Sequence, residues 1–198
     1  MSGSPEIYSL LLALLFAVAA GLVGSFTLMK RMLLAGDVIS HIALPGLALA
    51  FLFHFNPVLG GGTTLLLGTI LIWQLQRKTG FETDTIIGVV FATSVAIGAV
   101  LTPKEDLVEA LFGKFQDLTL LAFIAGTACV LAIIAFVFLF KDRLILSLFS
   151  PELASATGVK IDRLNLYFLL AFSMTVLVGL RFLGGLLVGS LIILPATT

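Results

Sequence analysis

Apolar residues run along this chain in blocks of about twenty, each closed by a short polar or basic stretch. About 20 such residues are needed for a helix to cross the hydrocarbon core of a bilayer. The pattern predicts spans at about 7–29, 37–55, 58–76, 84–102, 118–140 and 164–180, with a last one from about 183. The expected fold is all-α, a polytopic transmembrane bundle of about seven spans in a single domain covering residues 1–198. The final run, Leu183 to Thr198, reaches only about 24 Å at 1.5 Å per residue, short of the ~30 Å core. The chain is therefore expected to be part of a longer membrane protein, truncated at its carboxyl end.

Basic residues orient the spans. The leader before the first run carries no positive charge, and Lys30-Arg31 follow that run instead. Although Ala17-Val18-Ala19 looks like a cleavage site, this arrangement marks a retained span with its amino end outside. The cytoplasmic segments then hold Lys30, Arg31, Arg77, Lys78, Lys141, Arg143, Lys160 and Arg163. The outer side keeps Lys104, Lys114 and Arg181, with Glu105, Asp106 and Glu109 in the loop after the fourth span. Such a bias is the positive-inside pattern.

Composition agrees with the pattern: 60% of residues are hydrophobic and 11% charged, against about 25% charged in soluble domains. Zero net charge and the lack of a basic tract give no reason to expect nucleic acid. A lone cysteine, Cys129, excludes an internal disulfide and a cysteine metal cluster. Glycines at 21, 24, 60 to 62, 184, 185 and 189 suit close helix packing in a membrane.

Against this background the second span is unusual. Asp37, Ser40 and His41 stand at i, i+3 and i+4, so a helix sets them in one polar stripe. Intramembrane ionisable groups are costly and usually face a pathway, an ion or each other. Pro45 follows one turn later and lacks the N–H that the His41 carbonyl would use, so a kink is expected at Pro45-Gly46. Carboxylate oxygen plus imidazole nitrogen suits a first-row divalent cation such as Zn²⁺, Mn²⁺ or Fe²⁺. Two ligands fall short of a closed zinc cage, which fits a transit site better than a structural one. The plainer alternative is an Asp–His hydrogen bond near a helix end. His54, in Phe53-His54-Phe55-Asn56-Pro57, is expected to be an interfacial, solvated histidine.

Two further segments carry helix punctuation. Ser150-Pro151-Glu152-Leu153-Ala154-Ser155-Ala156-Thr157-Gly158 offers an N-cap, a first-turn proline and a terminal glycine. A helix of about two turns outside the bilayer is expected there, either a surface turn or a docking element. Thr83 or Asp84 can cap the fourth span.

Taken together, the chain resembles the permease subunit of zinc/manganese-type ATP-binding-cassette importers, a family that also includes iron transporters. Asp37-Val38-Ile39-Ser40-His41-Ile42-Ala43-Leu44-Pro45-Gly46-Leu47-Ala48 is similar to that family's D-x-I-S-H-x-x-L-P-G-x-A stretch. Glu82 to Gly88, Leu111-Phe112-Gly113, Ser150 to Gly158 and Leu191 to Thr197, with Pro195 as a second helix kink, are similar to further landmarks. The resemblance implies a multi-pass protein of a bacterial-type inner membrane that moves a divalent metal inward as cargo, with no permanent cofactor. It implies a separate ATP-binding subunit, an extracytoplasmic metal-binding protein and a second permease copy, within membrane lipid. Asp37 and His41 would contact the metal, while Pro151, Glu152, Leu153, Ala154 and Gly158 would form the element that couples to the ATPase. No G-x-x-x-x-G-K-[ST] phosphate loop is present, so the chain is not expected to be an enzyme itself. From another class, an ion-coupled secondary carrier would use Asp37 and His41 as a proton relay.

Overall fold

The chain folds as a bundle of helices in this computed structural model, which describes residues 4–32, 35–101 and 120–197. The helices are α1 (Ser4–Met29), α2 (Ala35–His41), α3 (Leu44–Leu52), α4 (Pro57–Thr79), α5 (Thr83–Leu101), α6 (Leu120–Phe149), α7 (Pro151–Ala156) and α8 (Ile161–Thr197). Among the described residues five stretches are long and apolar enough to cross a membrane: Leu10–Met29, Pro57–Thr79, Thr83–Leu101, Phe123–Phe149 and Ile161–Leu180. Helix is the form that satisfies every backbone polar group within one segment when no water is available. The expected second span is present but interrupted, as α2 and α3.

At the centre lies α8, packed against α1, α2, α4, α6 and α7. Its fully buried Phe172 and Val176 join Leu12 and Val23 of α1, Ile39 of α2 and Val130 of α6 in one apolar core. Three buried threonine hydroxyls inside this core are satisfied locally, whereas the buried Thr127 hydroxyl has no partner among the described residues. Thr27, Thr69 and Thr175 each donate to the carbonyl four residues back, at 2.8 to 2.9 Å, as helix interiors allow. Thr69 and Ser173 also hydrogen-bond each other, tying α4 to α8.

Polar contacts gather the helix ends that sequence assigns to the cytoplasm. Lys30 donates to Asn165 Oδ1, the Trp73 indole N–H donates to the Asp162 carbonyl at 2.8 Å, and Arg77 pairs with Asp162 at 3.5 Å. The end of α1, the α4–α5 turn and the start of α8 thus form one basic end of the bundle.

Beyond the break in the second span, two helices depart from the expected bounds, and the first, α6, runs on from the span expected at 118–140 to Phe149, with Lys141 and Arg143 inside it. Spans at 164–180 and from 183 are instead a single unbroken helix, α8, of 37 residues. Neither Arg181 nor the pair Gly184-Gly185 breaks it, because glycine in a helix costs only about 1 kcal/mol and no proline stands there. The helix runs on through Pro195 to Thr197. Residues 102–119, which include Lys104, Glu105, Asp106, Glu109, Lys114 and the Leu111-Phe112-Gly113 landmark, lie outside the described residues.

Glycine packing supplies a stability prediction. A β-carbon at Gly60 would collide with the Gly46 carbonyl, a backbone atom that cannot swing away. Gly88, by contrast, has no atom within 4 Å of an added β-carbon. Gly60→Val should therefore destabilise the chain by about 3 kcal/mol or more. Gly88→Ala should be neutral or stabilise by up to about 1 kcal/mol. Thermal unfolding of the two variants in detergent, side by side, measures the difference.

Candidate functional site

The polar stripe sits where the second span is broken. α2 ends at His41, Ile42 and Ala43 form a turn, and α3 begins at Leu44. The hydrogen bonds tighten as the helix ends: Ile42 N–H donates to Ile39 at 3.1 Å and Ala43 N–H to Ser40 at 3.3 Å. Regular bonding resumes when Leu47 N–H reaches the Ala43 carbonyl at 3.0 Å. The expected kink at Pro45-Gly46 is thus a full interruption two residues earlier. Proline clashes with the carbonyl four residues before it inside a helix but fits the first turn of a new one. The chain takes the second solution, with Pro45 in the first turn of α3.

A cradle of glycines receives the break. On α4, Gly60 faces the backbone of Gly46, Gly61 faces Leu47 and Ala43, and Gly68 faces Ile42. On α5, Gly98 faces Leu44 and Pro45. The Thr64 hydroxyl stands 3.1 Å from the Gly61 carbonyl, 3.2 Å from that of Gly60 and 3.4 Å from that of Ala43. Its single proton can serve any of the three, including the carbonyl at the break.

Within this frame α2 is packed between α8 and α5, and Val38, Ile39, Ser40, Ile42 and Ala43 are buried. The α2 backbone places positions 37 and 41 one helical turn apart. The His41 ring, partly buried, meets the Phe91 ring of α5 edge-on at 5.5 Å between centroids. An aromatic face at that distance fixes the imidazole plane at modest cost. No group of three or more His, Cys, Asp or Glu residues is placed to hold a metal among the described residues.

His54 lies at the far end of α3, exposed and in the left-handed conformation with φ 53°. Its N–H bonds back to Phe51, and that of Phe55 bonds to Ala50, closing the helix in the manner of a terminal glycine. Asn56 then caps α4, its Oδ1 accepting from Val58 N–H at 2.9 Å. His54 is thus a helix terminator as well as a solvated side chain.

The short helix expected from the Ser150 to Gly158 punctuation forms as α7, Pro151–Ala156. Ala154 is fully buried, while Pro151, Glu152 and Leu153 are exposed. Gly158, at φ 80°, ends it, with Val159 N–H bonding to the Ala154 carbonyl at 3.0 Å. One element differs from expectation: the Ser150 side chain makes no cap bond. Proline in the first turn starts the helix without it.

Comparison with known proteins identifies the lineage. Residues 7–198 match the family described as the ABC 3 transport family. The chain belongs to that family. It is 32% identical over 197 residues to the manganese import system permease protein ScaB of Streptococcus gordonii, covering 96% of this chain and 70% of that one. It is 28% identical to the high-affinity zinc uptake system membrane protein ZnuB of Haemophilus influenzae, covering 96% and 75%. The solved structure of PsaBC from Streptococcus pneumoniae in complex with Fab superposes with a TM-score of 0.77 at 25% identity, over 97% of this chain and 71% of that one. The resemblance drawn from the sequence motifs is borne out: the chain is an integral-membrane ABC permease.

Sequence reasoning passed over Lys30 as an orientation marker. In this ABC 3 permease it lines a cavity at the basic end, bonded to Asn165 at 2.5 Å, with its ammonium 5.0 Å above the Phe168 ring. Nothing local singles Asn165 out, since it follows Asp162 and Arg163 in an already polar helix start. Burial pulls the Lys30 pKa from 10.5 down to about 8. Between pH 8 and 10.5 the unfolded chain binds this proton more tightly than the folded one, so stability rises with pH across that window. Below pH 8 the full cost of the buried charge is present. The gap in unfolding midpoint between wild type and Lys30→Met should therefore shrink from pH 8 to pH 10, as read by thermal denaturation in detergent.

Proposed function

We propose that this ABC 3 permease moves a divalent transition metal, manganese or zinc ahead of iron, into the cytoplasm, driven by a separate ATP-binding subunit. The observation that carries the proposal is the interrupted helix: an Asp–x₃–His pair stands on α2 immediately before a backbone break. Backbone breaks at membrane depth are tolerated where they line protein or a pathway. The names of the manganese and zinc permeases it resembles support the same cargo.

In this reading the metal comes from an extracytoplasmic binding protein and exchanges part of its water shell for the Asp37 carboxylate and the His41 imidazole. A carboxylate–imidazole pair accepts all three metals, and their affinity order places zinc above iron and manganese, so geometry and supply select the cargo. The two ligands leave coordination positions for water and for groups from a second permease copy. Weak, incomplete coordination lets the ion leave again. On the cytoplasmic side α7 is the coupling element. Ala154 anchors it to the bundle, while exposed Leu153 and Glu152 face the ATPase. Gly158 gives the chain its turn back into α8.

Asp37→Ala and His41→Ala should each lower metal uptake by about a hundredfold or more, beyond the 10- to 100-fold typical of losing an outer-shell partner. Uptake of radioactive manganese and zinc in metal-depleted cells, with membrane abundance measured in parallel, checks this; wild-type uptake in both variants would overturn the site. Leu153→Asp should leave the permease in the membrane and sharply reduce co-purification of the ATPase. Undiminished co-purification with normal uptake would remove α7 from the coupling role.

A further inference from the structure

A cavity stands beside Lys30 at the basic end of the bundle. It measures about 240 Å³, room for roughly eight waters at liquid density. Lys30, Arg31, Gln76, Thr83 and Asn165 supply its polar lining, and among the described residues no carboxylate lines it. The Lys30 ammonium bonds to a neutral amide and lies over a phenyl face rather than pairing with an acid. The neighbouring carboxylate at the start of α8, Asp162, is engaged by Arg77 at 3.5 Å. Glu82 and Asp84 flank Thr83 in sequence but are not among the lining residues, and two cations with no acidic partner among the described residues attract an anion.

Local geometry adds to this. Arg31 ends α1 in the left-handed conformation, at φ 59°, the position where glycine is usual. Its N–H bonds to Leu28 at 2.9 Å, and Met32 N–H bonds to Thr27 at 3.0 Å. A non-glycine residue there costs about 1 kcal/mol or more, yet the chain carries a guanidinium at that point. On the opposite wall the Gln76 amide donates to Thr83 Oγ1 at 2.8 Å, so the threonine's own proton is directed to another acceptor. Residues bearing an ammonium, a guanidinium, an amide and a hydroxyl thus share one cavity wall. The cavity's lining begins where the apolar stretch Leu10–Met29 ends, the place where a span meets the headgroups if that stretch crosses the bilayer.

We propose that this cavity binds a phosphate group, carried either by an anionic phospholipid of the inner leaflet or by a soluble phosphate. Charge-assisted hydrogen bonds from Lys30 and Arg31 hold the phosphate oxygens, with Thr83 completing the set. Bound there, the anion bridges the end of α1, the α4–α5 turn and the start of α8.

The full chain, purified in detergent and stripped of lipid, is titrated at pH 7 under native mass spectrometry. Phosphatidylglycerol, inorganic phosphate and diacylglycerol are the probes. Wild type is expected to retain phosphatidylglycerol or phosphate, and not diacylglycerol, which lacks the phosphate. Retention of the lipid alone assigns the source to the leaflet, and retention of inorganic phosphate assigns it to solution. Lys30→Met is expected to weaken retention at least about tenfold, the scale of one charge-assisted bond. Arg31→Gly removes a cation while relieving the left-handed backbone, so its binding loss comes with an equal or higher unfolding midpoint. Asn165→Asp supplies an internal counter-ion and is expected to weaken binding in the same way. The proposal is overturned if wild type holds neither phosphate probe, if diacylglycerol binds equally well, or if Arg31→Gly and Asn165→Asp both retain the adduct undiminished.

Discussion

A helix interrupted in an apolar surrounding must find partners for the backbone groups it gives up, and the centre of this permease is arranged around that demand. Unsatisfied N–H and C=O groups cost several kcal/mol each where no water reaches them. Here the turn at Ile42 and Ala43 tightens into three-residue hydrogen bonds before α3 takes over. The Thr64 hydroxyl is within reach of the Ala43 carbonyl from the facing helix. That help requires α4 to come very close, which is why Gly60, Gly61 and Gly68 stand on its facing side. The break after the polar stripe is thus held by glycines on two sides, and the His41 ring by Phe91.

Much of this was legible in the residues, for definite reasons. Runs of about twenty apolar residues translate into helices because backbone in lipid has so few options. The Ser150 to Gly158 punctuation marked α7 because proline and glycine restrict the backbone whatever surrounds them. Spacing also brought Asp37 and His41 onto one short helix. The glycines at 60 to 62 were readable as packing residues, although their partner was not. A sequence shows that a residue is small and does not show what approaches it.

Other features depend on tertiary context. Proline at 45 signals trouble for a helix, but a kink and a full break both answer it, and the neighbouring glycines decide between them. Left-handed Arg31 and His54 are invisible to propensity, since neither residue type announces a helix end as glycine does. The bond between Lys30 and Asn165 spans 135 positions, far beyond any local pattern. Continuous α8 shows the opposite error, where an isolated arginine reads as a boundary and the helix simply carries it.

The meeting of Gly46 with Gly60 has a mechanical consequence. Main chain rests there on main chain, with no side-chain torsions between the two to soften a displacement. α3 and α4 must consequently travel as one rigid piece. Ile42 and Ala43 are clamped to the same wall through Gly68 and Gly61, so a displacement of α4 carries the end of the histidine-bearing segment with it.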